Sequence, residues 1–135
     1  MNYKPILVVS GEPNSIFLEI YFKTLKKYQP KNPLILITSY KLLILQMKKL
    51  KIKKKICLLD VSKLEKYSLN NKSINLININ FDQKKAFEKI TKKSNRFIKN
   101  CFDVAFKLIK EKYSDKLING PISKKNFLNK IGRAH

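Results

Sequence analysis

Residues 4–20 read KPILVVSGEPNSIFLEI, and the order of events within them decides the fold. Ile6–Val9 is an unbroken apolar run of strand length, closed by Ser10, Gly11 and a proline two positions later. A short apolar run bounded by such breakers reads as a strand buried on both faces, because a half-exposed strand would alternate apolar with polar residues. The spacing then changes. Asn14 and Ser15 are candidate helix caps, and Ile16, Phe17, Ile20 and Leu25 recur at helical intervals, predicting a helix to about Tyr28.

The same alternation continues outward. NPLILITS (residues 32–39) predicts a second buried strand, and Ser39 is the candidate cap of a helix over residues 40–50. KKICLLDV (54–61) predicts a third strand. SINLINI (73–79) reads as a fourth strand or an extended edge, since asparagines stand among its apolar residues. Asp82 opens the longest helical pattern, to about Tyr113, with Phe87, Ile90, Phe97, Ile98, Cys101, Phe102, Ala105, Phe106 and Ile109 returning every three or four positions. DKLIN (115–119) is a fifth strand, and SKKNFLN (123–129) begins another helix. Strands separated by helices imply an α/β fold, a largely parallel sheet flanked by helices.

Composition narrows the function classes. A chain of 135 residues fits one domain or part of a larger one, and 44% hydrophobic residues can form a real core. No apolar run approaches the ~18–20 residues of a membrane helix, and Pro5–Val9 is too short for a signal-peptide core. Cys57 and Cys101 lack Cys-x-x-Cys spacing, which argues against a metal knuckle or redox pair and for a reducing, cytoplasmic location. The net charge of +21 suggests nucleic acid at first sight. However, only Arg96 and Arg133 among the 30 basic residues are arginines, and nucleic-acid readers favour the arginine fork. Lysine, isoleucine and asparagine are enriched together, as AT-rich codons would enrich them. Nucleic acid is therefore an unlikely partner; KKLKIKKK (48–55) reads first as a solvated helix end and loop.

In parallel sheets ligands sit at the carboxyl ends of the strands, where both glycine turns fall. The first is Ser10-Gly11-Glu12-Pro13 and the second Gly120-Pro121-Ile122-Ser123-Lys124. Glycine allows close backbone approach, a following helix start offers amides to an anion, and Ser123 and Lys124 add a hydroxyl and a point charge. The plainer reading is a tight strand-to-helix turn with an exposed lysine. Neither turn is a Walker A loop or a Gly-x-Gly-x-x-Gly fingerprint. Glu19, Asp60, Glu65 and Asp82 have no paired-carboxylate spacing, and neither Ser10 nor Ser123 has a nearby histidine to act as base.

Together, KPILVVSGEPNSIFLEI and DKLINGPISKKNFLN resemble the 4-hydroxythreonine-4-phosphate dehydrogenase family of pyridoxal phosphate biosynthesis. That family opens with a strand, Gly-Asp-Pro-(Ala/Asn)-(Gly/Ser)-Ile-x-x-Glu and a helix. Later it has a strand ending Leu-(Val/Ile)-Thr before (Gly/Ala)-Pro-(Ile/Val)-x-Lys. Gly11, Glu12, Pro13, Asn14, Ser15, Ile16 and Glu19 occupy the first pattern. Leu117, Ile118, Asn119, Gly120, Pro121, Ile122 and Lys124 occupy the second. The resemblance covers residues 4–129, with Glu12 in place of aspartate, Phe17-Leu18 in place of Gly-Pro, and Asn119 in place of threonine.

The resemblance implies an isocitrate/isopropylmalate dehydrogenase-like fold, of which this chain would be part. It implies a homodimer that uses NAD or NADP and a divalent metal held by three histidines. It also implies oxidation of 4-phosphohydroxy-L-threonine, with decarboxylation, to 3-amino-2-oxopropyl phosphate. Gly11, Glu12, Pro13, Gly120, Pro121 and Lys124 would line the substrate cleft; no catalytic residue is assigned. The chain's one histidine is His135, so the three metal ligands would lie outside it. Residues 1–129 are accordingly read as the N-terminal part of such an enzyme, expected to be inactive alone. Residues 130–135 are read as a non-native tail, since Ile-Gly-Arg-Ala-His matches translated sequencing-adapter DNA. The alternatives are a dehydrogenase of a related phosphorylated hydroxy acid and a lysine-rich nucleic-acid-binding protein.

Overall fold

A computed structural model describes residues 3–28, 30–81 and 92–122. Five strands alternate with helices along the chain: β1 (Ile6–Val9), α1 (Phe17–Lys27), β2 (Leu34–Thr38), α2 (Tyr40–Leu50), β3 (Ile56–Leu58), β4 (Ile74–Asn78), α3 (Lys92–Lys110) and β5 (Lys116–Asn119). A short 3-10 segment, Val61–Lys66, follows β3 and was not expected from the sequence; the Asp60 side chain starts it by accepting from the Ser62 amide and hydroxyl at 3.0 and 2.7 Å. The strands form one sheet in the order β3-β4-β2-β1-β5, with every pair parallel. The α/β reading of the sequence is thus the observed architecture.

The apolar runs have no alternation because both sheet faces are covered. On one face Val8, Leu36, Ile74 and Leu76 pack against Leu18, Tyr21 and Phe22 of α1 and Leu43 and Met47 of α2. On the other, Leu7, Val9, Ile35, Ile37 and Ile77 pack against Phe97, Ile98, Cys101, Ala105 and Leu108 of α3. Each large side chain so buried contributes roughly 1.5–3 kcal/mol, so the two layers supply the main stabilisation. Phe97 also meets Phe81 with ring centroids 4.9 Å apart.

Two local expectations are settled. Of the two readings of SINLINI the fourth strand holds, and it is not an edge, since β4 lies between β3 and β2. Its buried Asn75 is tolerated because its amide donates to the carbonyls of Leu34 and Asn70 at 3.0 and 2.9 Å, leaving no orphaned donor. The α1 cap position falls to Ile16 without a side-chain cap bond, while Ser15 Oγ accepts from the Phe17 amide at 3.3 Å. The preceding residues are already committed to a turn in which the Ser15 amide donates to the Glu12 carbonyl at 3.1 Å. Ser39 does cap α2, accepting from the Leu42 amide at 3.1 Å. Asp82, Phe87, Ile90 and the segment 123–129 lie outside the described residues. Among those described, no helix is long and apolar enough to cross a membrane.

Candidate functional site

β1 and β5 are neighbours in register, Val9 opposite Asn119, so the turns that leave them must pass side by side. The Gly120 amide donates to the Val9 carbonyl at 2.8 Å, and the Glu12 amide donates to the Pro121 carbonyl at 2.7 Å. Gly11 has φ +75°, in the left-handed region, and a Cβ there would stand 2.6 Å from the Pro121 oxygen. A Cβ on Gly120 would collide with the Ser10 carbonyl oxygen and lie 2.7 Å from Phe17 Cγ. Both glycines are therefore used for the approach of one turn to the other.

Four of the six predicted site residues, Gly11, Glu12, Gly120 and Pro121, meet directly in this double turn. Pro13 extends it: its carbonyl accepts from Gln46 Nε2 of α2 at 2.9 Å, tying the turn to a second helix. Lys124 lies outside the described residues.

Glu12 is the chemically unusual member. It is only 8% exposed, and neither carboxylate oxygen makes a hydrogen bond of full geometry. Burial pushes its carboxyl above the ordinary value, while the Asn14 backbone N–H and the Ser94 hydroxyl pull it down. Ser94 sits on the inward face of α3, fully buried, so the first turn and α3 converge on one carboxyl group. In a chain with nine acidic residues against 30 basic ones, Glu12 is the one acidic side chain buried among the described residues.

The sequence reading missed the polar supports. Ser10 Oγ donates to Thr38 Oγ1 at 2.8 Å, joining the tips of β1 and β2 beneath the turn. Ser39 Oγ reaches the Phe81 carbonyl at 3.3 Å. Their signal was present, since each hydroxyl directly follows or ends an apolar strand run. Ser94 and Gln46 were legible only as polar breaks on otherwise apolar helix faces. Among the described residues no group of three His, Cys, Asp or Glu side chains could hold a metal ion.

No protein-family model and no curated protein matches the chain. Solved structures do. A Salmonella typhimurium protein provisionally assigned as a 4-hydroxythreonine-4-phosphate dehydrogenase superposes with TM-score 0.79 and 18% identity, over 98% of this chain and 42% of its own. The 4-hydroxythreonine-4-phosphate dehydrogenase of Burkholderia phymatum gives 0.76 and 18%, over 97% and 40%. That of Klebsiella pneumoniae gives 0.77 and 19%, over 98% and 40%. The chain shares their fold. It spans about two fifths of their length. The resemblance drawn from the two glycine turns thus points to the same enzymes as the backbone.

Proposed function

We propose that this chain forms part of an NAD- or NADP-dependent dehydrogenase acting on 4-phosphohydroxy-L-threonine. The substrate's 3-hydroxyl is oxidised to a ketone, and the resulting β-keto acid loses carbon dioxide to give 3-amino-2-oxopropyl phosphate. The observation that carries the reading is the superposition of almost the whole chain on three enzymes assigned this activity, together with the pairing of the two family-like turns at adjacent strand tips. In this reading Gly11, Glu12, Pro13, Gly120 and Pro121 form the floor of the substrate cleft, and Lys124 lies toward the substrate phosphate. Bound nicotinamide supplies the hydride acceptor. The described residues do not fit a metal site, so no step through a metal is derived from them. The active enzyme is proposed as a cytoplasmic homodimer longer than this chain.

The test is to express the complete reading frame that contains this sequence and follow formation of reduced nicotinamide. Reduction of NAD or NADP that requires both 4-phosphohydroxy-L-threonine and a divalent cation is the expected result. Reduction with a phosphothreonate but not with this substrate would move the assignment to the related hydroxy acid. No reduction with either would overturn it.

A further inference from the structure

Asn119-Gly120 is the one Asn-Gly pair in the sequence, and the fold sets it where β5 passes into the second glycine turn. An asparagine followed by glycine is open to attack on its side-chain amide by the next backbone nitrogen, because glycine has no Cβ to obstruct the approach. The Gly120 nitrogen loses its proton and bonds to Asn119 Cγ, the Cγ–Nδ2 bond breaks, and the side-chain nitrogen leaves as ammonia. Water then opens the resulting succinimide ring at either carbonyl. The product is aspartate, or isoaspartate with an extra methylene in the main chain. The sum is hydrolysis of an amide by water, with no oxidation or reduction.

The two partners of this reaction are placed differently. Asn119 is exposed, and its Nδ2 donates to the Gly120 carbonyl at 2.9 Å, so the side-chain amide lies folded along the residue that must attack it. The attacking nitrogen is not free. Gly120 is buried, and its N–H donates to the Val9 carbonyl at 2.8 Å as a rung of the β1–β5 pairing. Held there, the nitrogen keeps its proton and points toward β1. That rung stands at the margin of the sheet, since β5 pairs with β1 alone and three of its four residues are exposed. Release of such a strand end takes less free energy than unfolding the whole chain. The double turn, in turn, has no room for the longer product. Gly120 lies so close to the Ser10 carbonyl, and Gly11 to the Pro121 carbonyl, that neither glycine could carry a methyl group. An added main-chain methylene between residues 119 and 120 puts the Gly120–Val9 and Glu12–Pro121 hydrogen bonds out of step with each other.

We infer that Asn119 is a deamidation site which the paired turns hold unreactive, and that isoaspartate formed there parts the turns. The inference does not rest on the dehydrogenase reading, since the reaction needs only this chain and water.

Incubation of the full chain at mildly alkaline pH, with and without unfolding urea and beside a synthetic peptide of residues 115–122, tests it. Peptide mapping by mass spectrometry follows Asn119. The unfolded chain and the peptide should deamidate at a common rate, and the folded chain at least about tenfold more slowly. Hydrogen exchange of the Gly120 amide should be slowed by the same factor, because both reactions need that N–H freed from Val9. The isoaspartate chain, separated by its charge, should melt below both the native chain and Asn119→Asp, which carries the same charge without the methylene. Deamidation of the folded chain at the peptide's rate, or no reaction in the unfolded chain, would overturn the protected site. An isoaspartate chain that melts with Asn119→Asp would overturn the parting of the turns.

Discussion

Gly11 and Gly120 act as one contact, because each leaves room for the other's backbone. Gly120→Ala forces a methyl onto the Ser10 carbonyl and the Phe17 ring, an overpacking expected to cost roughly 1–3 kcal/mol. Gly11→Ala combines a similar clash with a left-handed φ, which costs an L-residue about 1–2 kcal/mol by itself. Urea unfolding should show lower midpoints with unchanged slopes for both. Since the two changes disturb the same contact, the double variant should lose less than the sum of the singles. Glu12 makes a different prediction. Its carboxyl is raised from the ordinary 4.5 by burial, so the folded chain keeps a proton that the unfolded chain has released. Its contribution to stability is therefore fully present below pH 4.5 and declines as pH rises through the folded value. Glu12→Gln removes that decline, so the stability of the variant relative to the native chain should increase between about pH 4.5 and neutrality. A flat difference across that range would mean that the carboxyl is not perturbed by folding.

α2 shows at the level of the element how a cap can also tie the tertiary structure. Ser39 is 1% exposed, satisfies the Leu42 amide and also reaches the Phe81 carbonyl. Ser39→Ala should destabilise the chain by about 1–2 kcal/mol, readable as a lower thermal midpoint. A loss within experimental error would place the cap's worth with water instead. β4 and α3 mark where local pattern stops being enough. The asparagines of β4 suggested an edge, yet Asn75 lies in an interior strand because the Leu34 and Asn70 carbonyls happen to reach it. Those partners come from another strand and a loop, so no window of sequence around Asn75 contains the full reason. On α3, the apolar positions Phe97, Ile98, Cys101 and Ala105 announced the buried face, while the buried Ser94 acquires its purpose only from Glu12, on a distant part of the chain.

For the whole molecule the governing quantity is a net charge of +21. The described ion pairs, Lys23–Glu19 at 3.5 Å and Lys99–Asp103 at 2.8 Å, are exposed helix pairs of small worth, so most positive charge is answered only by solvent and counterions. Raising ionic strength from ~0.01 to ~0.15 M shortens the screening length from about 30 to about 8 Å and should therefore raise the thermal midpoint by several degrees. A falling midpoint would mean that attractions, not self-repulsion, dominate the surface field. The succession of strands and helices, the parallel sheet and the two glycine turns at strand ends were all written locally, in apolar run lengths and in the residues that break them. That is why the local patterns along the chain pointed to the architecture. What they could not contain was the strand order that sets β5 beside β1 and β4 inside the sheet. Adjacency between segments far apart in the chain is decided by which apolar faces bury one another. Only that packing brought Gly11 against Gly120 and Glu12 beside Ser94.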